Sequence, residues 1–426
     1  MELHLDAAHR RSAVIAAATL ALTACASSAG GNATSGTVTI VLNEPFARLP
    51  YVGTFTAQGA NLAADQVNQA GGVKVGGKSY RIKLQQLDNQ LSPSTSLGNV
   101  NEAVAEKAVA IIDDGYTSDA TYQAAAAGGI PLLLDYDGNT ALIDTAQRPN
   151  VFRIAPPDDA VAGKLVDYVT GKNLRLALAH DDSEYGKDGD AQLLQALAKK
   201  SLKPLDIELP SSAPGYDTEA LQVKQSGAEA VIVWARSPVL AAFVKSLRQG
   251  GSTAQIFAGP TAEDPVVRTQ NADHPDYVNG LTYASFRITT EAGPDAWDKF
   301  RKAYEDHNFN TDDGKPGPDY RVGVETSKHK PVVQPPDWQL FPYDMVYLVK
   351  AALEQAGTVD PAGGKLINAL NAVQVKSGNG DNRGWTKDNH EGVADDDIYF
   401  ATFVDMKFRP VQDDPLSKTL PPIDQE

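Results

Sequence analysis

Short apolar runs alternate with helical patterns along most of this chain, and residues 108–140 show that alternation in its simplest form. Two apolar runs, at residues 108–112 and 130–134, are each too short for a helix and are each followed at once by polar residues. A run of small residues at helical spacing lies between them. The stretch therefore predicts a strand, a loop, a helix, a second strand and a second loop.

The same alternation comes before this stretch and after it. Residues 37–42 form a β-branched run, residues 55–67 recur at helical spacing, and residues 80–87 alternate as a strand. We expect a parallel sheet covered by helices, because β and α patterns that alternate along a chain are typical of that architecture. Residues 158–257 show the same alternation of predicted helices and strands, although we find no sequence repeat between the two series.

The length of the chain and its extended links predict two lobes joined by a hinge. At 426 residues the chain exceeds the usual size of a single core. Extended segments at residues 150–154 and 281–288 lead from one alternating series to the other, and a final strand at residues 397–406 crosses again. Two or three such crossings suit a clamshell of two Rossmann-like α/β lobes.

Each predicted lobe is discontinuous in sequence. Residues 308–340 interrupt lobe one with a long stretch rich in Pro, Gly and Asp, and loops of that length are either functional or disordered. The predicted boundaries are residues 37–151 with 286–385 for lobe one, and residues 152–285 with 386–426 for lobe two.

The start of the chain has the pattern of a secretion signal. A basic patch precedes an apolar run at residues 13–22, which is too short to remain as a membrane anchor. The run ends in Leu-Thr-Ala-Cys, which resembles a bacterial lipobox and implies that residues 1–24 are removed and that Cys25 carries a lipid. A signal peptide cut nearby, or twin-arginine export, is the alternative. Residues 25–36 are small and polar and predict a flexible tether.

Composition and missing motifs argue against several classes of function. A formal net charge of −16 argues against nucleic acid, which is bound by clustered Lys and Arg. The sequence has neither a G-x-G-x-x-G opening a helix nor a G-x-S-x-G elbow, and its His residues show no metal-ligand spacing. We therefore expect no catalytic residue, no metal and no cofactor, although a hydrolase built from scattered Ser, His and Asp is a remote alternative.

Two predicted loops leave the carboxyl ends of neighbouring strands, at residues 113–119 and 135–140. In an open parallel sheet such loops lie side by side, and ligands bind in the crevice outside those strand ends. Thr117 and Ser118 open a helix there, so hydroxyl groups and helix-start N–H groups face the crevice. These hydroxyl and N–H groups can form hydrogen bonds with a ligand. The two loops contain no obvious pair of nucleophile and base.

Several short motifs follow one another in a recognisable order. They are N-Q-A-G-G-V at residues 68–73, Asp88 after the second strand, the Thr117-Ser118 turn, V-F-R at residues 151–153, D-D-S-E-Y-G at residues 181–186, Asp217, and Tyr343-Asp344. With the lipobox in front, this order resembles the type I periplasmic solute-binding proteins of ABC importers, in particular the group that binds branched-chain amino acids. The resemblance covers residues 37–411 and implies a two-lobed α/β protein that binds solute between its lobes.

The resemblance also implies where the solute lies. Thr117 and Ser118 are similar in position to the donors that hold a ligand carboxylate, and Tyr51 and Tyr185 to aromatic walls from opposite lobes. The remaining implied contacts are the loop of Asp135, Tyr136, Asp137 and Gly138 in lobe one, and Arg236, Ser237 and Thr261 in lobe two.

Two positions depart from the family pattern. Thr261 stands where amino acid binders of this group commonly offer a carboxylate to the ligand ammonium, and Glu263 replaces it only if the loop is arranged differently. Asp135 and Asp137 would repel an anionic ligand. Either these two carboxylates bind a cationic or amide group, or Arg236 offsets their charge.

Each chosen residue also has a purely structural interpretation. Tyr51 and Tyr185 fit half-buried surface aromatics, Asp119 fits a helix cap, and Arg236 fits a surface charge. Asp135 and Asp137 also fit solvated turn residues, Trp234 fits a core position, and His180 fits a structural histidine near the predicted cleft.

The sequence thus predicts a monomeric, lipid-anchored, extracytoplasmic binding protein for an ABC transporter. It captures a small polar solute, such as an amino acid or related amide, and passes it to the membrane permease. A receptor module of the same fold that senses the solute without transporting it is the main alternative.

Overall fold

The computed structural model describes residues 36–285, 294–307, 338–393 and 397–419. The predicted signal peptide, the lipid-attachment residue Cys25 and residues 308–337 of the predicted long loop lie outside these ranges. Gly36, predicted to end the tether, is already the first residue of a strand. Within the described ranges, no helix has the length and apolar character needed to cross a membrane.

Sheet one has six strands and is built from the first part of the chain. Its strand order is β2-β3-β1-β4-β5-β6, and all neighbours are parallel except the β2–β3 hairpin. The elements are β1 (Gly36–Glu44), α1 (Pro50–Gln69), β2 (Val73–Val75), β3 (Lys78–Asp88), α2 (Pro93–Ala105), β4 (Ala110–Asp113), α3 (Ser118–Ala127), β5 (Leu132–Leu134) and β6 (Val151–Arg153).

Sheet two has seven strands in the order β15-β14-β11-β10-β9-β7-β8. Its parallel part consists of β7 (Leu176–Asp181), β8 (Leu205–Leu209), β9 (Ala230–Trp234), β10 (Gln255–Ala258) and β11 (Thr282–Ser285). The helices along this part are α4 (Asp158–Thr170), α5 (Glu184–Lys199), α6 (Asp217–Ser226), α7 (Ser237–Gln249) and α8 (Pro265–Thr269).

The rest of the described chain first returns to sheet one and then to sheet two. Helix α10 packs on α1, where the Gln339 carbonyl lies against Gly59 so closely that a Cβ there would come within 2.0 Å of it. Strands β14 and β15 add an antiparallel ribbon to β11. These elements are α9 (Pro294–Asp306), α10 (Leu340–Ala356), α11 (Lys365–Leu370), the small hairpin β12 (Gln374–Lys376) and β13 (Asn382–Gly384), β14 (Tyr399–Val404) and β15 (Lys407–Pro410).

The central strands of both sheets are buried on both faces. Every residue of β4, β5 and β9 is buried, which explains why these strands read as continuous apolar runs without alternation. Helices therefore cover both faces of each parallel sheet. The predicted α/β fold with two parallel sheets flanked by helices is confirmed.

Two predicted details are corrected by the structure. The first helix begins before the predicted residues 55–67, because Pro50 supplies a favourable first helical residue, and Tyr51 therefore lies in its first turn. Asp119 makes no capping bond to its helix and instead pairs with Arg148 at 2.6 Å. Trp234 is fully buried, as its interpretation as a core residue predicts.

The contact between Gly189 in α5 and Trp234 in β9 gives a test of packing in lobe two. A Cβ on Gly189 would lie 2.0 Å from Trp234 Nε1, so Gly189→Ala forces the helix away from a rigid ring. We expect the free energy of unfolding to fall by about 1–3 kcal/mol. Urea unfolding followed by circular dichroism measures the change.

Gly163→Ala in α4 is the matched control, because a Cβ there meets nothing within 4 Å. Alanine at an unobstructed helical position is expected to stabilise the protein by about 0.4–1 kcal/mol. Equal effects of the two substitutions would contradict the described packing of α5.

Candidate functional site

Four carboxyl groups meet at the carboxyl-terminal edge of sheet one. They are Glu44 at the end of β1, Asp113 and Asp114 at the end of β4, and Asp135 after β5, and we call them the carboxyl cluster. The ladder places them together, since Asn43 pairs with Asp113 and the Asp135 N–H donates to the Asp113 carbonyl. Each of the four residues is 0% exposed.

Polar side chains donate hydrogen bonds to three of the four carboxyl groups of the cluster. Asn43 Nδ2 donates to Asp113 at 2.6 Å, and Asn89 Nδ2 donates to Asp114 at 2.6 Å. Thr56 Oγ1 in α1 donates to Asp135 Oδ2 at 2.6 Å.

Glu44 differs from the other members of the cluster. Neither carboxyl oxygen of Glu44 has a hydrogen-bond partner within the described part of the chain, and the same holds for Asp135 Oδ1. Buried polar atoms are usually satisfied, so these three oxygens point to an additional binding partner.

Burial raises the pKa of all four carboxyl groups, so their ionised forms are costly in the free protein. Burial raises the pKa of Glu44 well above its usual range, and the charges of Asp135, Asp114 and Asp113 add to the increase. Burial likewise raises the pKa of Asp113 to about 6, although hydrogen bonds from Gly115 and Asn43 oppose the shift. A cation at this edge would therefore be attracted to groups whose ionisation is otherwise costly.

Two unengaged hydroxyl groups lie beside the cluster, at the start of α3. Thr117 and Ser118 are 4% and 1% exposed, and neither hydroxyl has a hydrogen-bond partner among the described residues. Thr117 occupies the N-cap position without making the usual side-chain capping bond. Both hydroxyls can therefore donate to, or accept from, a bound molecule.

An aromatic cluster lies against the same edge. Tyr136 packs on Trp338 with ring centroids 5.1 Å apart, and Tyr116 packs on Tyr136 at 5.9 Å. Phe55 of α1 contacts Trp338 at 5.6 Å and Tyr51 at 5.7 Å. Tyr51, which was predicted to be an aromatic wall, thus belongs to this aromatic cluster.

Residues that follow the strands of sheet two face this edge directly. Arg236 stacks over the ring of Tyr116, with its guanidinium carbon 5.5 Å from the ring centroid. Asn139 Nδ2, in the loop after β5, donates to Asp188 of α5 at 2.6 Å. Burial, Tyr136 and Asp137 raise the pKa of the partly buried Tyr116, Arg236 lowers it, and Tyr185 of α5 adds a smaller increase.

The predicted lobe-two residues lie at the ends of β7, β9 and β10. Tyr185 packs on Trp234 at 5.8 Å, in the first turn of α5. The Thr261 hydroxyl donates to the Ala235 carbonyl at 2.7 Å. Because its proton is engaged in this bond, the Thr261 hydroxyl oxygen can only accept a hydrogen bond from a ligand. Glu263 belongs to the same short 3-10 helix as Thr261 and is 0% exposed.

Within the described residues, Arg236 forms no ion pair with the acidic residues of lobe one. Its Nε atom is buried without a hydrogen-bond partner in the described ranges, and its backbone N–H donates to Asp181 at 2.8 Å. The cation that lowers the pKa of Asp137 is Arg153, while burial, the larger effect, raises that pKa to about 6. The guanidinium of Arg236 is therefore left facing the opposite lobe.

Arg153 holds the loop that carries Asp135 and Asp137. It donates to the backbone carbonyls of Asp137 and Asn139 at 3.0 and 2.8 Å, and it forms a two-point ion pair with Glu391 at 2.8 and 2.5 Å. Arg153 is 0% exposed. The V-F-R motif thus contributes to the site indirectly, because its Arg153 holds the loop that carries Asp135 and Asp137.

The sequence interpretation missed part of this site. It did not assign Glu44 or Trp338 to the crevice, and it placed the loop of residues 113–119 there without choosing Asp113 or Asp114 as contacts. For these carboxylates a signal existed, because they come at the end of a predicted strand, as Asp135 does. Trp338 has no such signal, since it reaches the site only through the packing of α10 on α1.

The sequence matches the family described as "Periplasmic binding protein" over residues 42–407, and the chain belongs to this family. The family binds solutes and is not enzymatic, and membership implies a location outside the cytoplasm. No curated protein matches the sequence.

Solved structures share the fold at low sequence identity. A type 1 periplasmic binding protein from Bordetella pertussis Tohama I gives a TM-score of 0.70 at 18% identity, over 86% of this chain and 97% of that one. LivJ of Streptococcus pneumoniae, a branched-chain amino acid transporter substrate-binding protein in complex with isoleucine, gives 0.69 at 19% identity, over 87% and 97%. An ABC transporter solute-binding protein from R. palustris, in complex with benzoate, gives 0.67 at 16% identity, over 88% and 95%.

Proposed function

We propose that this protein captures a small polar solute with a cationic or amide N–H group, such as an amino acid or related amide, between its two lobes. The N–H end of the solute faces the carboxyl cluster of lobe one, and an anionic or acceptor end faces Arg236 of lobe two. The observation that carries this proposal is Glu44, whose two buried oxygens have no hydrogen-bond partner in the described chain.

The charge of lobe one supports this orientation. Thr117 and Ser118 lie on the same edge as the carboxyl cluster, where a solute carboxylate would meet like charge. A solute ammonium there would both satisfy the open oxygens and stabilise their ionised form. The proposed polarity is thus opposite to the one that the family resemblance implies for Thr117 and Ser118.

Arg236 supports the other half of the orientation. A guanidinium offers several N–H groups in a planar fork that matches a carboxylate. Its stacking on Tyr116 places it where the two lobes meet. A solute that contacts both lobes favours the closed form, because its affinity for that form exceeds its affinity for the open one.

A paired-analogue screen tests the proposal. We expect leucine, arginine or a related amino acid to raise the melting temperature of the purified protein, because a ligand that binds the folded state stabilises it. The 2-oxo acid of the same solute lacks the ammonium group and should give no shift. The amino acid amide lacks the carboxylate and should keep part of the shift. Thermal denaturation and calorimetry at pH 7 measure both effects.

Thr117→Val provides the site control, because it keeps the side-chain shape and removes the open hydroxyl. It should weaken the best solute without lowering the melting temperature of the free protein. If the 2-oxo acid binds as well as the amino acid, the proposed polarity is wrong. Failure of every solute class to stabilise the protein would refute solute capture itself.

We further propose that the protein is anchored by a lipid on Cys25, acts as a monomer and delivers its solute to an ABC permease. The basic patch, short apolar run and Leu-Thr-Ala-Cys ending support the anchor. One chain supplies both sides of the proposed site, the edge of sheet one and the residues that follow the strands of sheet two. This supports the monomer proposal.

A further inference from the structure

We propose that His180, Asp190 and Asp206 form a binding site for one divalent transition metal ion, with Zn²⁺ as the preferred ion. The site lies in lobe two, apart from the carboxyl cluster, and does not depend on the proposed solute. The three residues come from β7, α5 and β8, and no sequence spacing connects them.

The ligand atoms are already close together. One ligand atom from each of the three residues lies within 4.8 Å of the other two, and His180 Nε2 is 3.8 Å from Asp206 Oδ1. Ligands at ~2.0–2.1 Å from a tetrahedral zinc lie about 3.4 Å apart. Small side-chain rotations therefore complete the site, and three protein ligands leave a fourth position for water.

The imidazole of His180 is oriented as a metal ligand should be. Its Nδ1 lies 3.0 Å from the backbone carbonyl of Asp181, and a carbonyl only accepts hydrogen bonds, so Nδ1 carries the proton. In the neutral imidazole the lone pair of Nε2 is then available to a metal ion, and Asp206 Oδ1 lies 3.8 Å from this atom. Metal-bound histidines commonly donate their other N–H to a backbone carbonyl in this way.

Asp190 supplies the second, independent observation. It is 7% exposed, and its Oδ1 is buried without a hydrogen-bond partner in the described part of the chain. A buried carboxylate oxygen without a partner is costly, and a metal ion would satisfy it.

The ion would tie α5 to two strands of sheet two. The same helix carries Tyr185 at its start and Asp188, which accepts a hydrogen bond from Asn139 of lobe one. Asp206 has a side chain that is 35% exposed on the edge strand β8, which gives the ion a route of entry. Zinc would therefore fix the helix that presents lobe-two groups to lobe one.

Calorimetry on chelator-treated, dialysed full-length protein tests the site. Zn²⁺ alone is expected to bind with 1:1 stoichiometry and to raise the melting temperature, while Mg²⁺ and Ca²⁺ bind far more weakly, since they prefer oxygen ligands. Asp206→Asn should weaken Zn²⁺ binding by more than about 100-fold, because even second-shell changes cost ~10–100-fold. His180→Gln should do the same.

His307→Gln is the matched control, because His307 Nε2 lies 3.4 Å from Asp65 Oδ2 in a His–carboxylate pair outside the cluster of His180, Asp190 and Asp206. It should leave Zn²⁺ binding unchanged. Asp206→Asn lies on an exposed edge, so it should retain the native circular dichroism spectrum. Unchanged Zn²⁺ affinity in Asp206→Asn, or a preference for Mg²⁺ or Ca²⁺, would overturn the proposal.

Discussion

Replacing Arg153 with methionine is expected to lower the free energy of unfolding by about 3 kcal/mol, because it removes the fully buried member of an ion pair whose other side chain, Glu391, is 23% exposed. Arg153 is 0% exposed, and its guanidinium bonds Glu391 at two points. It also bonds the carbonyls of Asp137 and Asn139. Methionine keeps most of the stem volume, so the loss reports on charge and hydrogen bonding. Urea unfolding at pH 7 measures it.

Arg148→Met controls for the general effect of losing an arginine. Arg148 also pairs with an aspartate, at 2.6 Å from Asp119, but the Asp119 side chain is 74% exposed. Exposed pairs of this kind contribute less than about 1 kcal/mol. A small effect of Arg153→Met, similar to that of Arg148→Met, would show that the Arg153–Glu391 pair is not needed to hold the Asp135–Asn139 loop.

The fold could be predicted largely from local sequence signals. The apolar runs that become β4, β5 and β9 are visible because strands buried on both faces carry few polar residues. The β2–β3 hairpin was missed, although Val-Lys-Val before Gly76-Gly77 is a hairpin signal, with both glycines at positive φ. The β12–β13 hairpin was also missed, because strands of three residues give too little alternation to recognise.

The site was harder to predict because it depends on contacts between distant residues. Thr117, Ser118 and Asp135 were selected from the rule that strand ends meet at one edge, and the structure places them on that edge. Sequence alone did not show that Arg236 stacks on Tyr116, because that contact joins the two lobes. It also did not show that Glu44 is buried without a hydrogen-bond partner among the residues that the structure describes.

Glu44→Gln is expected to stabilise the free protein at pH 8 and to weaken binding of a cationic solute at least tenfold. The pKa of Glu44 in the folded protein is raised above the usual value of 4.5, chiefly by burial. Its contribution to stability is therefore complete below about pH 4.5 and is lost as pH rises toward the folded-state pKa, at ~1.4 kcal/mol per pH unit. Glutamine has no such loss, so its advantage should grow from pH 5 to pH 8.

Urea unfolding at the two pH values and calorimetry with the best solute together separate stability from binding. A cationic solute that favours ionised carboxylates should release protons on binding, so its enthalpy should vary with the ionisation enthalpy of the buffer. Glu106→Gln, at the exposed end of α2, should change stability by less than about 1 kcal/mol, equally at both pH values. If Glu44→Gln is destabilising at pH 8 and still binds solute tightly, Glu44 is compensated within the protein, and the cationic end of the solute lies elsewhere.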